Sequence, residues 1–177
     1  MFDNYNNVKR WELWGILWIV LIGSLLHFTY EWSGNSYIVG SFSAVNESVW
    51  EHLKLGYFPL LLFSIVEYWF VRNKVRNFYF SKTIGIIAME LFIIISFYFY
   101  TAITNKPILF MDIGLFILGA IICQLISFKL MKLNIGKSSN IIWFSLFILI
   151  GCIFVSFTFY TPELPLFMDY NTKKYGV

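Results

Sequence analysis

Five apolar stretches, separated by short polar breaks, set the frame of this chain. They cover residues 11–30, 47–71, 83–102, 107–131 and 140–160, and polar side chains are sparse inside each. A helix of about 20 apolar residues crosses the roughly 30 Å hydrocarbon core of a bilayer, and every run reaches or exceeds that length. The breaks carry ordinary helix-stop signals. Residues 31–46 are rich in Ser, Gly and Asn, Thr104-Asn-Lys-Pro107 is a turn with proline at the first helical position, and Asn134-Ile-Gly136 closes the fourth run. The pattern predicts an all-α membrane protein, a five-helix transmembrane bundle forming one domain over residues 1–177, with a tail over 161–177.

Composition agrees. The chain is 59% apolar and 21% aromatic with only 13% charged residues, against about 25% charged in soluble domains. Its mean hydropathy is +0.70. A soluble globular protein is excluded, and the lipid bilayer is the expected partner. The net charge of +3 comes from loop cations, so it reports topology and not a nucleic-acid partner. Lys9 and Arg10, the group Arg72, Lys74, Arg76 and Lys82, and Lys129, Lys132 and Lys137 fall on one side of the membrane. The other side holds Lys54, Lys106, Lys173 and Lys174. This bias predicts an N-terminus in the cytoplasm and a C-terminus outside. The first run is read as a retained span, because it is long and lacks a small-x-small cleavage site. Cys123 and Cys152 lie inside apolar runs, with neither metal-knuckle nor redox spacing.

The chemistry concentrates in Asn46-Glu47-Ser-Val-Trp50-Glu51-His52-Leu-Lys54 at the start of the second run. Ionisable groups entering a membrane are costly, and a functional site is the usual reason for them. His27 and Glu31, four apart and so on one helix face, lie at the same end of the first span, and Asp112 is at similar depth in the fourth. Two imidazoles grouped with carboxylates match the ligands of zinc or another divalent metal. The expected ligands are His27, Glu31, Glu51 and His52, with Glu47 or Asp112 as general base. Asn46, Trp50, Lys54 and Glu90 are the expected support of the pocket. The competing reading is a structural network, in which Lys54 and Lys106 neutralise carboxylates and Asn46 or Ser43 caps the second helix. No His-Glu-x-x-His motif occurs.

Deeper in the bundle, Glu90 is expected to donate as a neutral acid to Gln124, the alternative being a proton or ion path. Glu67 is expected to snorkel beside Tyr68 and Trp69. The serines lack a Gly-x-Ser-x-Gly setting, which argues against a Ser–His enzyme. The tail, with Pro162, Pro165 and the patch Leu164–Met168, reads either as a lid over the pocket or as an interfacial anchor through Phe167 and Tyr170.

Three blocks carry a resemblance: His27-x-x-Tyr-Glu-Trp-Ser-Gly-Asn35, Ala44-Val-Asn-Glu-Ser-Val-Trp-Glu-His-Leu-Lys54, and Leu164-Pro-Leu-Phe-x-Asp169 with Tyr175-Gly176. Together they resemble a family of small multi-pass membrane proteins from Gram-positive bacteria, classed as a domain of unknown function. The resemblance spans nearly the whole chain and implies a bacterial plasma-membrane location, but no activity. The residues themselves point to a divalent-metal-dependent membrane hydrolase with an outward-facing pocket. The alternatives are a small-molecule or ion binding and transport subunit, and a non-catalytic accessory protein.

Overall fold

The computed structural model describes residues 2–133 and 140–177. Among them are six α-helices: α1 (Phe2–Trp32), the short α2 (Tyr37–Gly40), α3 (Val49–Val71), α4 (Phe78–Thr104), α5 (Leu109–Met131) and α6 (Asn140–Phe159). A 3-10 turn, Pro165–Phe167, and an isolated antiparallel bridge between Met168 and Tyr175 order the tail, and no strand occurs among the described residues. Five helices are long and apolar enough to cross a membrane: Asn6–Trp32 within α1, and α3, α4, α5 and α6. The expected break at Asn134–Gly136 and the loop cation Lys137 lie outside the described residues.

The bundle buries charged and polar side chains and exposes apolar ones. Phe99, Phe110 and Ile141 are 71%, 86% and 77% exposed, whereas Glu12, Glu51, Lys54, Glu67, Lys82 and Gln124 are all buried. That arrangement suits hydrocarbon as the surrounding medium, because buried polar groups then find partners that lipid cannot provide. α4 and α5 form an antiparallel hairpin, α1 lies against α3 and α5, and α6 packs on α4 and α3. Asn105 turns the hairpin in the left-handed region (φ 58°), with its N–H donated to Thr101 O. Ile19, Leu53, Tyr57, Leu60, Ile86, Met89, Phe147 and Phe154 make the main core. A smaller one, Val8, Val71, Val75, Phe78 and Met131, closes the end of the bundle nearest the α3–α4 loop.

Pro59 sits inside α3. It has no N–H, so the carbonyl of Leu55 loses its helical donor. α1 approaches at that point: a Cβ placed on Gly23 would lie 2.4 Å from Leu55 O. Only glycine allows so close a contact, which brings backbone C–H groups against a carbonyl that lipid would leave unpaired. Trp18 also donates its indole N–H to Pro59 O at 3.0 Å.

The helix limits differ from the sequence pattern where charges find partners. α4 begins at Phe78 and not near 83, so Lys82 belongs to the bundle and not to a basic loop. Its ammonium is wholly buried against Glu67 Oε2 at 2.6 Å and Glu12 Oε2 at 3.0 Å, and it donates to Gln124 Oε1 at 3.1 Å. Glu67 therefore does not snorkel beside Tyr68 and Trp69. The pairing across four helices also corrects the expected Glu90–Gln124 bond. Gln124 is engaged by Lys82, and Glu90 Oε1 is buried without a hydrogen-bond partner among the described residues. α5 begins at Leu109, two residues after Pro107, and residues 31–46 contain α2 within an otherwise irregular loop.

Candidate metal centre

The loop before α3 decides which carboxylate meets the histidines. Ser48, and neither Asn46 nor Ser43, is the N-cap: its backbone is extended (φ −79°, ψ 154°) and its hydroxyl accepts from Glu51 N at 3.3 Å. Asn46 Oδ1 accepts from Ser48 N at 2.9 Å, an Asx turn that holds Glu47 just outside the helix. Glu47, expected at the start of the second span, thus lies outside α3. Its side chain, 45% exposed, swings to the two imidazoles. Glu47 Oε2 lies 3.5 Å from His52 Nε2, and Oε1 lies 3.9 Å from His27 Nε2.

His27 comes from α1 and His52 from the first turn of α3. The rings meet edge to face with centroids 5.1 Å apart. His52 Nδ1 is 2.8 Å from Ser48 O. A carbonyl can only accept, so Nδ1 carries the hydrogen and, in the neutral ring, Nε2 presents its lone pair to Glu47 and His27. Metal-bound histidines are commonly oriented through the far ring nitrogen in this way. His27 stacks on Phe28, and its Nδ1 is buried with no hydrogen-bond partner among the described residues.

One ligand atom from each of His27, Glu47 and His52 lies within 4.8 Å of the others, and this group could hold a metal ion. The donor set fits. Zinc takes nitrogen and oxygen ligands at about 2.0–2.2 Å, so tetrahedral neighbours stand about 3.3–3.6 Å apart. The 3.5 and 3.9 Å separations run to different oxygens of Glu47, and closing the group from its 4.8 Å envelope to tetrahedral spacing takes up to about an ångström. Two histidines and one carboxylate leave a fourth position free, as catalytic zinc sites do. All three side chains are 30–45% exposed, so the free position is open to solvent.

The other expected residues fall elsewhere. Glu31 is exposed near the end of α1 and is not part of the group. Glu51 points away, into a buried network. Its Oε2 accepts from Val45 N at 3.1 Å and from Lys54 Nζ at 2.7 Å, and its Oε1 accepts from Thr158 at 2.8 Å. Lys54 spends its three hydrogens on Glu51, Thr158 Oγ1 (2.8 Å) and Gly40 O (2.7 Å). Asp112, in the first turn of α5, accepts from the Tyr100 hydroxyl and lies near enough to His52 and Glu47 to feel their charges. Glu90 sits deeper in the bundle and forms no part of this group.

The tail folds back onto the loop that presents Glu47. Phe167 is buried between Trp50 and Phe157, with ring centroids 4.7 and 5.6 Å away. Asp169 Oδ2 accepts from Glu47 N at 3.2 Å, and Asn46 Nδ2 donates to Gly176 O at 2.9 Å. Asp169 Oδ1 also accepts from Asn171 N and Thr172 N at 2.7 and 2.8 Å. Burial raises the Asp169 carboxyl, but the N–H groups of Thr172, Glu47 and Asn171 outweigh it and hold the group below the usual range. Asn46 and Trp50 therefore anchor the tail beside the loop that carries Glu47. Glu12 and Thr158 gave no motif in the sequence and Asp169 only the end of the Leu164–Asp169 block; their partners, 70 to 122 residues away, reveal what they do.

The chain matches over residues 1–177 the model described as "Family of unknown function (DUF6512)", and it belongs to that family. Among curated proteins and among solved structures, nothing matches it.

Proposed function

We propose that His27, Glu47 and His52 bind a divalent transition metal at the outer face of a single-domain bacterial plasma-membrane protein, and that the metal activates water for hydrolysis there. The observation that carries the reading is the convergence of two imidazole nitrogens and one carboxylate within 4.8 Å, with one imidazole already oriented by Ser48 O. A metal held by three protein ligands lowers the pKa of its remaining water toward neutrality and so supplies hydroxide. Glu47 in this reading is a ligand, which leaves Asp112 to act as the base, its carboxylate positioned by Tyr100. The excess of Lys and Arg in the loops at the opposite end supports an outward-facing site. A divalent-cation transport subunit would use the same ligands, and metal-dependent turnover without transport separates the two.

The test is metal analysis of the detergent-purified protein together with thermal melts. A ligand that binds only the folded state at a thousandfold excess over its dissociation constant stabilises it by about 4 kcal/mol. Chelator should lower the melting temperature and one transition metal restore it. His52→Ala and Glu47→Gln should abolish that response, while Glu51→Gln should destabilise the protein yet keep it. Purified protein without stoichiometric metal and without a chelator shift would end the metal reading.

A further inference from the structure

A second polar centre lies at the opposite end of the bundle, and its charges do not balance. Glu12 on α1 and Glu67 on α3 both meet Lys82 on α4, and all three side chains are 4% exposed or less. Two carboxylates against one ammonium leave one negative charge at a buried site. The other groups that face the centre do not offset it. α5 contributes Gln124, Ser127 and Cys123, α4 adds Glu90 further along, and α6 carries no charged residue.

The hydrogen bonds locate the deficit. Lys82 donates to Glu12 and Gln124 and is ion-paired with Glu67 Oε2. Glu12 Oε1 also accepts from Ser127 at 2.8 Å, so both of its oxygens are satisfied as a carboxylate. Glu67 is the contrast: both of its oxygens are buried with no hydrogen-bond partner among the described residues, and Oε2 has only its ion pair with Lys82. A carboxylate in that state lacks both a donor and a counter-charge of its own.

We propose that the Glu12–Lys82–Glu67 centre is a proton-binding site, occupied by one proton carried on Glu67. Binding is the simple addition of a proton to the Glu67 carboxylate, which neutralises the centre. Neutrality makes a buried cluster of this size tolerable in the membrane interior. The layer of Val8, Val71, Val75, Phe78 and Met131 separates it from the nearest end of the bundle, so the proton is retained within the fold. A retained proton on a buried membrane carboxyl is the element from which proton relays are built. This reading is independent of the metal centre, whose ligands belong to the other end of the helices.

Infrared spectroscopy of the full chain tests it, because a protonated carboxyl absorbs apart from a carboxylate and shifts in heavy water. A Glu90→Gln background removes the one acid of α4. At neutral pH this protein should show a protonated-carboxyl band that Glu67→Gln eliminates. Glu12→Gln should eliminate it too, since the remaining carboxylate then balances Lys82. Lys82→Met should raise it to about twice the intensity, both acids now being neutral. The Glu12 and Lys82 variants decide the matter even where Glu67→Gln fails to fold. A band unaltered in all three variants would overturn the proposal. So would absence of the band together with stabilisation by sodium or potassium, which would make the occupant a metal cation.

Discussion

Lys54→Met removes a fully buried ammonium and leaves Glu51, itself 2% exposed, as an uncompensated charge. Breaking a buried pair from one side costs about 3–5 kcal/mol, far more than a solvent-screened surface pair is worth. Gly40 O also loses its lysine donor, within the loop that leads to Glu47. Each kcal/mol moves the melting temperature of a chain of this size by about 2–4 °C, so the variant should melt about 6–20 °C lower. Glu51→Gln should do comparable damage by stranding Lys54. The double variant restores neutrality and keeps an acceptor for Val45 N, and it should be no worse than either single change. Independent sites would instead add to about 6–10 kcal/mol. Reversible thermal or denaturant unfolding of all four proteins in detergent gives the cycle. Costs that simply add, or a Lys54→Met variant within about 0.5 kcal/mol of the parent, the range of ordinary surface substitutions, would refute the assignment of Glu51 as a structural partner.

Gly23→Ala would place a methyl 2.4 Å from the Leu55 carbonyl and should cost about 1–3 kcal/mol as overpacking; a variant that melts like the parent would show that α1 and α3 do not touch there. Asp169, held low in the folded state, contributes stability that is fully present above the ordinary carboxylate range near pH 4 and is lost as pH falls through its lower folded value. Asp169→Ala should remove that acid dependence and speed amide exchange at Glu47, Asn171 and Thr172; unchanged exchange would argue against the clasp. Metal protection of the His27–Glu47–His52 site should fade in acid, because an imidazole must be unprotonated to ligate, and a chelator shift that persists at low pH would place the metal elsewhere. Reporter fusions after Arg76 and Lys132 should read cytoplasmic and one after Val177 extracytoplasmic, and the reverse result would invert the proposed orientation.

The spans were legible because length and hydropathy act locally: each apolar run had to become a helix, whatever it packed against. The residues that pair across the bundle were not. Lys82 stands at the edge of an apolar run beside other cations and reads as a loop charge until Glu12 and Glu67 are brought to it. Glu51 read as a metal ligand and Glu47 as a general base, four apart at a helix start. A cap two residues later than expected, at Ser48, puts Glu47 in the loop with the histidines and turns Glu51 toward Lys54 and Thr158. Local sequence drew attention to His27 and residues 46–54, whereas the pairing of Glu51 and Lys54 with Thr158 depends on contacts more than a hundred residues distant.

The folded-back tail has a consequence for biogenesis. Both imidazoles enter the membrane with the first and third helices, early in synthesis. The Asp169 and Gly176 contacts that hold Glu47 and Asn46 span 122 and 130 residues of chain, and contacts of such long sequence separation form late. The centre therefore matures only after the last helix has been threaded and the tail has docked. Until then the emerging chain displays its histidines without the carboxylate fixed beside them, and assembly of the cluster reports that the tail has docked.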